Sequence, residues 1–154
     1  MIELRLGLVN NIEKKFIPTK KEFLEKYLDS LIKIEEYEII QTYKENIKYR
    51  CYIDDGKCKY TRNIKKEKVT DVKEISKEDF DKILKENHNN CIQKIRKYYI
   101  DGNFEIDVDY FLKPINMIMV EVESKNDSLD NYKPPIGFID VTKEQIYENK
   151  EIFN

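Results

Sequence analysis

The chain of 154 residues has no tryptophan, a single histidine, three cysteines, four glycines and four prolines. Cys51, Cys58 and Cys91 form neither a C-x-x-C pair nor a cluster with His88, which excludes a zinc knuckle or a redox dithiol and leaves three reduced core thiols. His88 lies in the polar run Glu86 to Asn90 and reads as a surface residue rather than a catalyst. So few glycines and prolines, with 38% charged and 40% hydrophobic residues, do not fit a low-complexity disordered chain. Long apolar runs are also missing. The opening MIELRLGLVN alternates apolar with polar residues and lacks a small-residue cleavage site, so it reads as neither signal peptide nor anchor. A soluble, cytoplasmic protein with no membrane partner is the expectation. Finally, there is no excess of one charge: 28 Lys and Arg face 30 Asp and Glu, a balance of −2 that argues against holding nucleic acid by net charge. The length suits one domain, residues 1–154.

What the sequence does have is charge sorted by position. The first hundred residues carry 23 basic and 18 acidic side chains, the remainder 5 and 12. Alternating runs predict strands over Ile12 to Ile17, Ile47 to Ile53, Lys57 to Lys65, Ile92 to Tyr99, Phe104 to Tyr110 and Met117 to Glu123. Asp54-Asp55-Gly56 and Asp101-Gly102-Asn103 are hairpin turn signals. Helix starts are predicted at Thr19 with Glu22, at Ser76 with Asp79, and at Thr142 with Gln145; the first and third match a capping box. Ser124 to Gly137 reads as the one long loop, and Met1 to Asn10 as an added edge strand or an interface.

Residues two apart in a strand share a face, so parity states which side chains meet. One face collects Glu13 and Lys15; Lys48 and Arg50; Lys59, Asn63 and Lys65; Lys94 and Arg96; Glu105, Asp107 and Asp109; Glu121 and Glu123. The other is mostly apolar, as in Ile47, Tyr49, Cys51 and Ile53, or Ile118, Val120 and Val122. A merely wet face would mix both signs with Ser, Thr and Gln along each strand. Here sign is chosen strand by strand, and like charges at such spacing repel, which suggests an anion for the basic strands and cations for the carboxylates. If the sheet closes, the charged face becomes a lumen and the apolar face an exterior for amphipathic helices to cover. Basic groups on one wall and carboxylates on another suit a polyphosphate with a divalent metal.

These residues resemble the CYTH domains, also called triphosphate tunnel metalloenzymes. Asn11-Ile12-Glu13-Lys14-Lys15-Phe16 looks like the family's E-x-E-x-K strand with its first Glu replaced. Lys48-Tyr49-Arg50, Asn63-Ile64-Lys65, Val72 to Ser76, Lys94-Ile95-Arg96, Phe104 to Val108, Val120 to Glu123, and Asp140-Val141-Thr142 with Tyr147 and Asn149 resemble its later segments in order, over about residues 11 to 153. The resemblance implies an α+β fold: an eight-stranded antiparallel β-barrel, or tunnel, with a polar lumen and a few short flanking helices. It implies metal-dependent hydrolysis of inorganic triphosphate or a nucleoside triphosphate with Mg²⁺ or Mn²⁺. Glu13, Asp107, Glu121 and Glu123 would be metal ligands, and Lys15, Lys48, Arg50, Lys65, Lys94 and Arg96 would hold phosphates. Glu13 and Lys15 are the candidates for a catalytic role beyond binding. Two departures stand out. Asn11 brings no negative charge, and Lys48, where many members have Arg, exchanges a bidentate fork for a point charge. They keep open two alternatives, an adenylate cyclase making cyclic AMP from ATP and a non-catalytic nucleotide or polyphosphate binder. A homodimer is also left open.

Overall fold

The chain runs β1 (Gly7–Asn10), β2 (Glu13–Pro18), α1 (Lys21–Asp29), β3 (Ile32–Lys44), β4 (Ile47–Asp54), β5 (Lys57–Lys65), β6 (Val69–Glu74), α2 (Lys77–Glu86), β7 (Cys91–Asp101), β8 (Phe104–Lys113), β9 (Met117–Ser124) and β10 (Phe138–Asp140). The structure is a computed structural model that describes residues 4–10, 12–124, 129, 132–133 and 135–143. All the strands belong to one antiparallel sheet in the order β1-β6-β5-β4-β3-β7-β8-β9-β2-β10.

Tight turns set much of its register. Lys44 pairs Ile47, Asp54 pairs Lys57 and Asp101 pairs Phe104, so three hairpins each have a two-residue loop. Two of these loops have positive φ at both residues, Glu45 and Asn46 at 52° and 69°, and Asp55 and Gly56 at 51° and 76°. That geometry matches the twist of the flanking strands, and it keeps the parity of each strand locked to its neighbour's.

The expected eight strands are ten, because a short strand is added at each edge. β1 pairs with β6 and β10 with β2. Among the described residues no backbone ladder joins the two ends, so the expected hydrogen-bonded closure is not observed. The chain does tie the β1 edge to β2, the strand next to the other edge. β1 ends at Asn10 on the β6 edge and β2 begins at Glu13 beside β9, and three peptide links span at most about 11 Å.

The two faces carry different contents. On the outer face Phe16, Ile106, Val108, Val120 and Val122 are buried under Leu24, Tyr27 and Leu28 of α1, with Leu129 and Tyr132 completing the cluster. Each fully buried side chain of this kind is worth about 1.5–3 kcal/mol. Gly137 allows the closest approach here, since a Cβ would meet the Phe23 ring at 2.2 Å. α2 covers β4 and β5 through Phe80, whose ring lies 5.3 Å from that of Tyr60. On the inner face one end is stopped by Ile92, Phe111 and Met119, packed with Tyr43 and Met117.

One of the two described α-helices starts at its motif and the other does not. Ser76 caps α2 as expected, its hydroxyl accepting from the Asp79 N–H. The fuller capping box at Thr19 is not used: Lys20 is the N-cap without a side-chain bond, and the Thr19 hydroxyl donates to the Gly137 carbonyl at 2.7 Å. Thr19 is drawn to the segment leading into β10, whose Gly137 carbonyl also accepts its N–H. The helix expected after Thr142, with Tyr147 and Asn149, lies outside the described residues, as does Asn11. Among the described residues no helix is long and apolar enough to cross a membrane.

Candidate active site

The inner face surrounds a cavity of about 700 Å³, to which every strand from β1 to β9 contributes. Its charged walls follow from the register. Across β2, β9 and β8 one rung reads Glu13, Glu123, Glu105 and the next Lys15, Glu121, Asp107. Continuing through β8, β7 and β3, a further rung reads Asp109, Arg96, Tyr37. Across β4 and β5 the rungs are Arg50 with Thr61 and Lys48 with Asn63. Of the sequence-derived site residues, Glu13, Lys15, Asp107, Glu121 and Glu123 line the acidic side and Lys48, Arg50, Lys65 and Arg96 the basic side of this one cavity.

Lys94 stands apart from these. Parity points it to the inner face, where it is fully buried and is not among the residues lining the cavity. Its Nζ is 2.7 Å from Asp109 Oδ2 and 5.1 Å from the Phe111 ring centroid. The same carboxylate accepts from Arg96 Nε and Nη2 at 2.7 and 2.8 Å, a bidentate clamp. Asp109 was legible as an inward residue, yet the motif comparison passed over it in favour of Asp107. Burial opposes its ionisation, but Arg96 and Lys94 outweigh that and hold it well below the usual carboxylate range.

The acidic wall has the opposite balance. Single oxygens of Glu13, Glu121 and Glu123 all lie within 4.8 Å of one another. Burial, reinforced by Glu121 and only partly offset by Lys15, pushes the Glu13 carboxyl up to about 8. Burial, then Asp107 and Glu121, raises Glu123 to about 7. Burial works against Glu121 as well, but Lys15, Arg96 and Lys94 hold it at about 2. Asp107 is raised by burial, against the pull of Arg96 at 3.4 Å. Three oxygen donors at this spacing, two of them short of positive charge, fit a hard divalent cation. The backbone supports the wall from behind: Val141 N–H donates to the Lys15 carbonyl, and Thr142 Oγ1 accepts the Lys15 N–H at 2.9 Å.

The basic wall lacks anions in the same sense. Arg50 is fixed by donating from Nε to Gln41 Oε1 at 2.9 Å, and among the described residues no carboxylate forms an ion pair with Lys48, Arg50 or Lys65. Burial, with Arg50 and Lys94 nearby, pushes the Lys48 ammonium well below its usual value. Thr61 Oγ1 and Asn63 Oδ1, both on this wall, are buried without a hydrogen-bond partner. Lys65 is exposed at the cavity's edge.

Several lining residues escaped the sequence reading. Tyr37, Tyr52 and Tyr98 line the cavity, and the last two share parity with Arg50 and Arg96, the signal that would have found them. Arg5 also lines it, as does Glu105, which parity placed on the charged face without a role. His88 is exposed in a short turn before β7, away from these walls, as expected.

No family model and no curated protein matches the sequence. Solved structures do match the fold. The inorganic triphosphatase NE1496 superimposes with a TM-score of 0.58 at 20% identity, over 92% of this chain and 96% of its own. The PH1819 protein of Pyrococcus horikoshii gives 0.57 at 14% identity, over 77% and 81%. A candidate adenylate cyclase from Bacillus halodurans gives 0.52 at 13% identity, over 78% and 83%. The chain thus shares its fold with this triphosphatase and this candidate cyclase.

Proposed function

We propose that this chain is a CYTH-family enzyme that binds a triphosphate-bearing small molecule with Mg²⁺ or Mn²⁺ and hydrolyses it, the substrate being inorganic triphosphate or a nucleoside triphosphate. One observation carries this reading: a single cavity in which cations short of anions face carboxylates short of cations. A metal-bound polyphosphate brings both missing charges at once, so it satisfies two walls that neither a simple anion nor a simple cation would satisfy alone.

In this reading Glu13, Glu121 and Glu123 hold the divalent cation, with Asp107 next to them on the Glu121 rung. When bound, the ion supplies positive charge to phosphate oxygens as a Lewis acid. Lys48, Arg50 and Lys65 hold phosphate oxygens, and Arg96, oriented by Asp109, holds the phosphoryl group nearest the carboxylates. These donors are fixed before the substrate arrives, so charge that builds on the transferred group and leaving oxygen meets groups already in position. Lys15, 3.5 Å from Glu13 and one rung from Glu123, is suited to follow charge as it moves between metal-binding and reacting oxygens. Lys94 acts on phosphate only through Asp109 and Arg96.

The test is to incubate the purified protein with tripolyphosphate and with ATP, each with Mg²⁺ or Mn²⁺, following phosphate, pyrophosphate and cyclic AMP. Metal-dependent phosphate release is expected. Cyclic AMP from ATP without phosphate release would replace the reading by cyclisation. A rise in melting temperature without any product would replace it by non-catalytic binding.

A further inference from the structure

We propose that Arg5 is a built-in cation that fills one of two cation positions on the acidic wall, so that the cavity takes a single divalent ion; this rests on the metal reading above. The argument begins with one rung. Glu13, Glu123 and Glu105 stand side by side on β2, β9 and β8. Directly paired residues have Cβ atoms about 4.5–5.5 Å apart, a spacing at which three like charges destabilise the sheet unless positive charge lies between them.

The rung has two gaps, and they are filled differently. Between Glu105 and Glu123 lies the Arg5 guanidinium, with Nη2 2.7 Å from Glu105 Oε2 and Nη1 3.4 Å from Glu123 Oε2. Its Cζ also lies 5.8 Å from the centroid of the Tyr98 ring on β7, a cation–π contact. Between Glu123 and Glu13 no guanidinium reaches among the described residues; the Lys15 ammonium lies 3.5 Å from Glu13 Oε1, Glu121 joins, and single oxygens of the three glutamates converge to within 4.8 Å. Arg5 comes from the segment before β1, ahead of the stretch that carries the family-like motifs, so this cation is an addition to the motif set rather than part of it. A guanidinium stays charged at any relevant pH and does not exchange with solvent ions, so the Glu105–Glu123 gap is neutralised whatever the metal concentration.

Metal-free protein titrated with Mn²⁺ in the absence of phosphate, with free Mn²⁺ followed by its electron paramagnetic resonance signal, reads the stoichiometry directly. One ion per wild-type chain is expected, two for Arg5→Ala, and one again for Arg5→Ala combined with Glu105→Gln. Two ions in the wild type, or one in Arg5→Ala, would overturn the proposal. No bound Mn²⁺ in the wild type would instead overturn the metal reading beneath it. Should Arg5→Ala not fold, Arg5→Gln takes its place, since it keeps a long polar side chain and removes the charge: two ions are expected, and one would overturn the proposal.

Discussion

The cavity has two sets of buried charge, and they are balanced in opposite ways. Beneath the cavity Asp109 meets Lys94 and Arg96 within 2.8 Å, using both oxygens, and it is held ionised. On the acidic wall burial, reinforced by neighbouring carboxylates, pushes Glu13 and Glu123 up to about 8 and 7. In the first arrangement the carboxylate is satisfied within the chain, while burial still lowers the Lys94 ammonium to about 8; the second leaves Glu13 and Glu123 raised until something positive binds. Buried charge that satisfies itself serves the fold, and buried charge that does not is a place for a ligand.

The largest effect expected from this contrast is at Asp109. Removing its charge leaves Lys94, which has no exposed surface, uncompensated and Arg96 with only Asp107 at 3.4 Å, and breaking such a buried cluster costs about 3–5 kcal/mol. Denaturant unfolding of Asp109→Asn measures it. Adding Lys94→Met to that variant should recover part of the loss; a cost under about 1 kcal/mol for Asp109→Asn would mean that the cluster beneath the cavity is no more self-sufficient than the wall.

Metal should act on the other region. With folded carboxyls raised above their unfolded values, the native state binds more protons than the unfolded one, so stability without metal falls as pH rises from about 4.5 towards 7 and 8. A divalent cation competes with those protons, and its stabilisation grows over the same interval, reaching about 2.7 kcal/mol at a hundred times its dissociation constant. Thermal melts from pH 5 to 8, with chelator or with Mn²⁺, give both curves. A metal effect independent of pH would separate the ion from Glu13 and Glu123. Glu13→Gln should gain about 1 kcal/mol at pH 8 in chelator, allowing for partial solvation of the side chain, and lose most of the Mn²⁺ effect.

The contrast between these regions was only half legible in the sequence. Parity put Lys94 and Glu121 on one face correctly, because two-residue turns such as Asp55-Gly56 and Gly102-Asn103 leave no slack between strands. Parity says nothing of height along the cavity, however, and that is what separates Lys94 from Arg96. The clue was apolar: Phe111, Met117 and Met119 share the charged face and mark where it stops being wet. β3 was missed because its pattern is broken twice. A register shift falls between Lys33 and Glu35, and its inward residues Tyr37, Ile39 and Gln41 are not charged while its outward ones include Glu36 and Glu38. Arg5 lies in the alternating opening of the sequence, but in irregular chain ahead of β1, so parity could not place it, and it meets Glu105 and Glu123 more than 90 residues away only through the fold.

Lys65 sharpens the comparison from the smallest side. It lines the cavity at its exposed edge and belongs to no ion pair among the described residues, so Lys65→Ala should leave stability within about 0.5 kcal/mol of the wild type. Its loss removes one charge-assisted contact to phosphate, worth about 1.5 kcal/mol or roughly tenfold in tripolyphosphate affinity, measured by calorimetry with metal present. A cation that matters to the ligand and not to the fold is the mirror image of Lys94, which matters to the fold and reaches the ligand only through its neighbours. Equal effects of Lys65→Ala on stability and on affinity would erase that distinction, and with it the division of the inner face into a self-balanced base and a ligand-balanced wall.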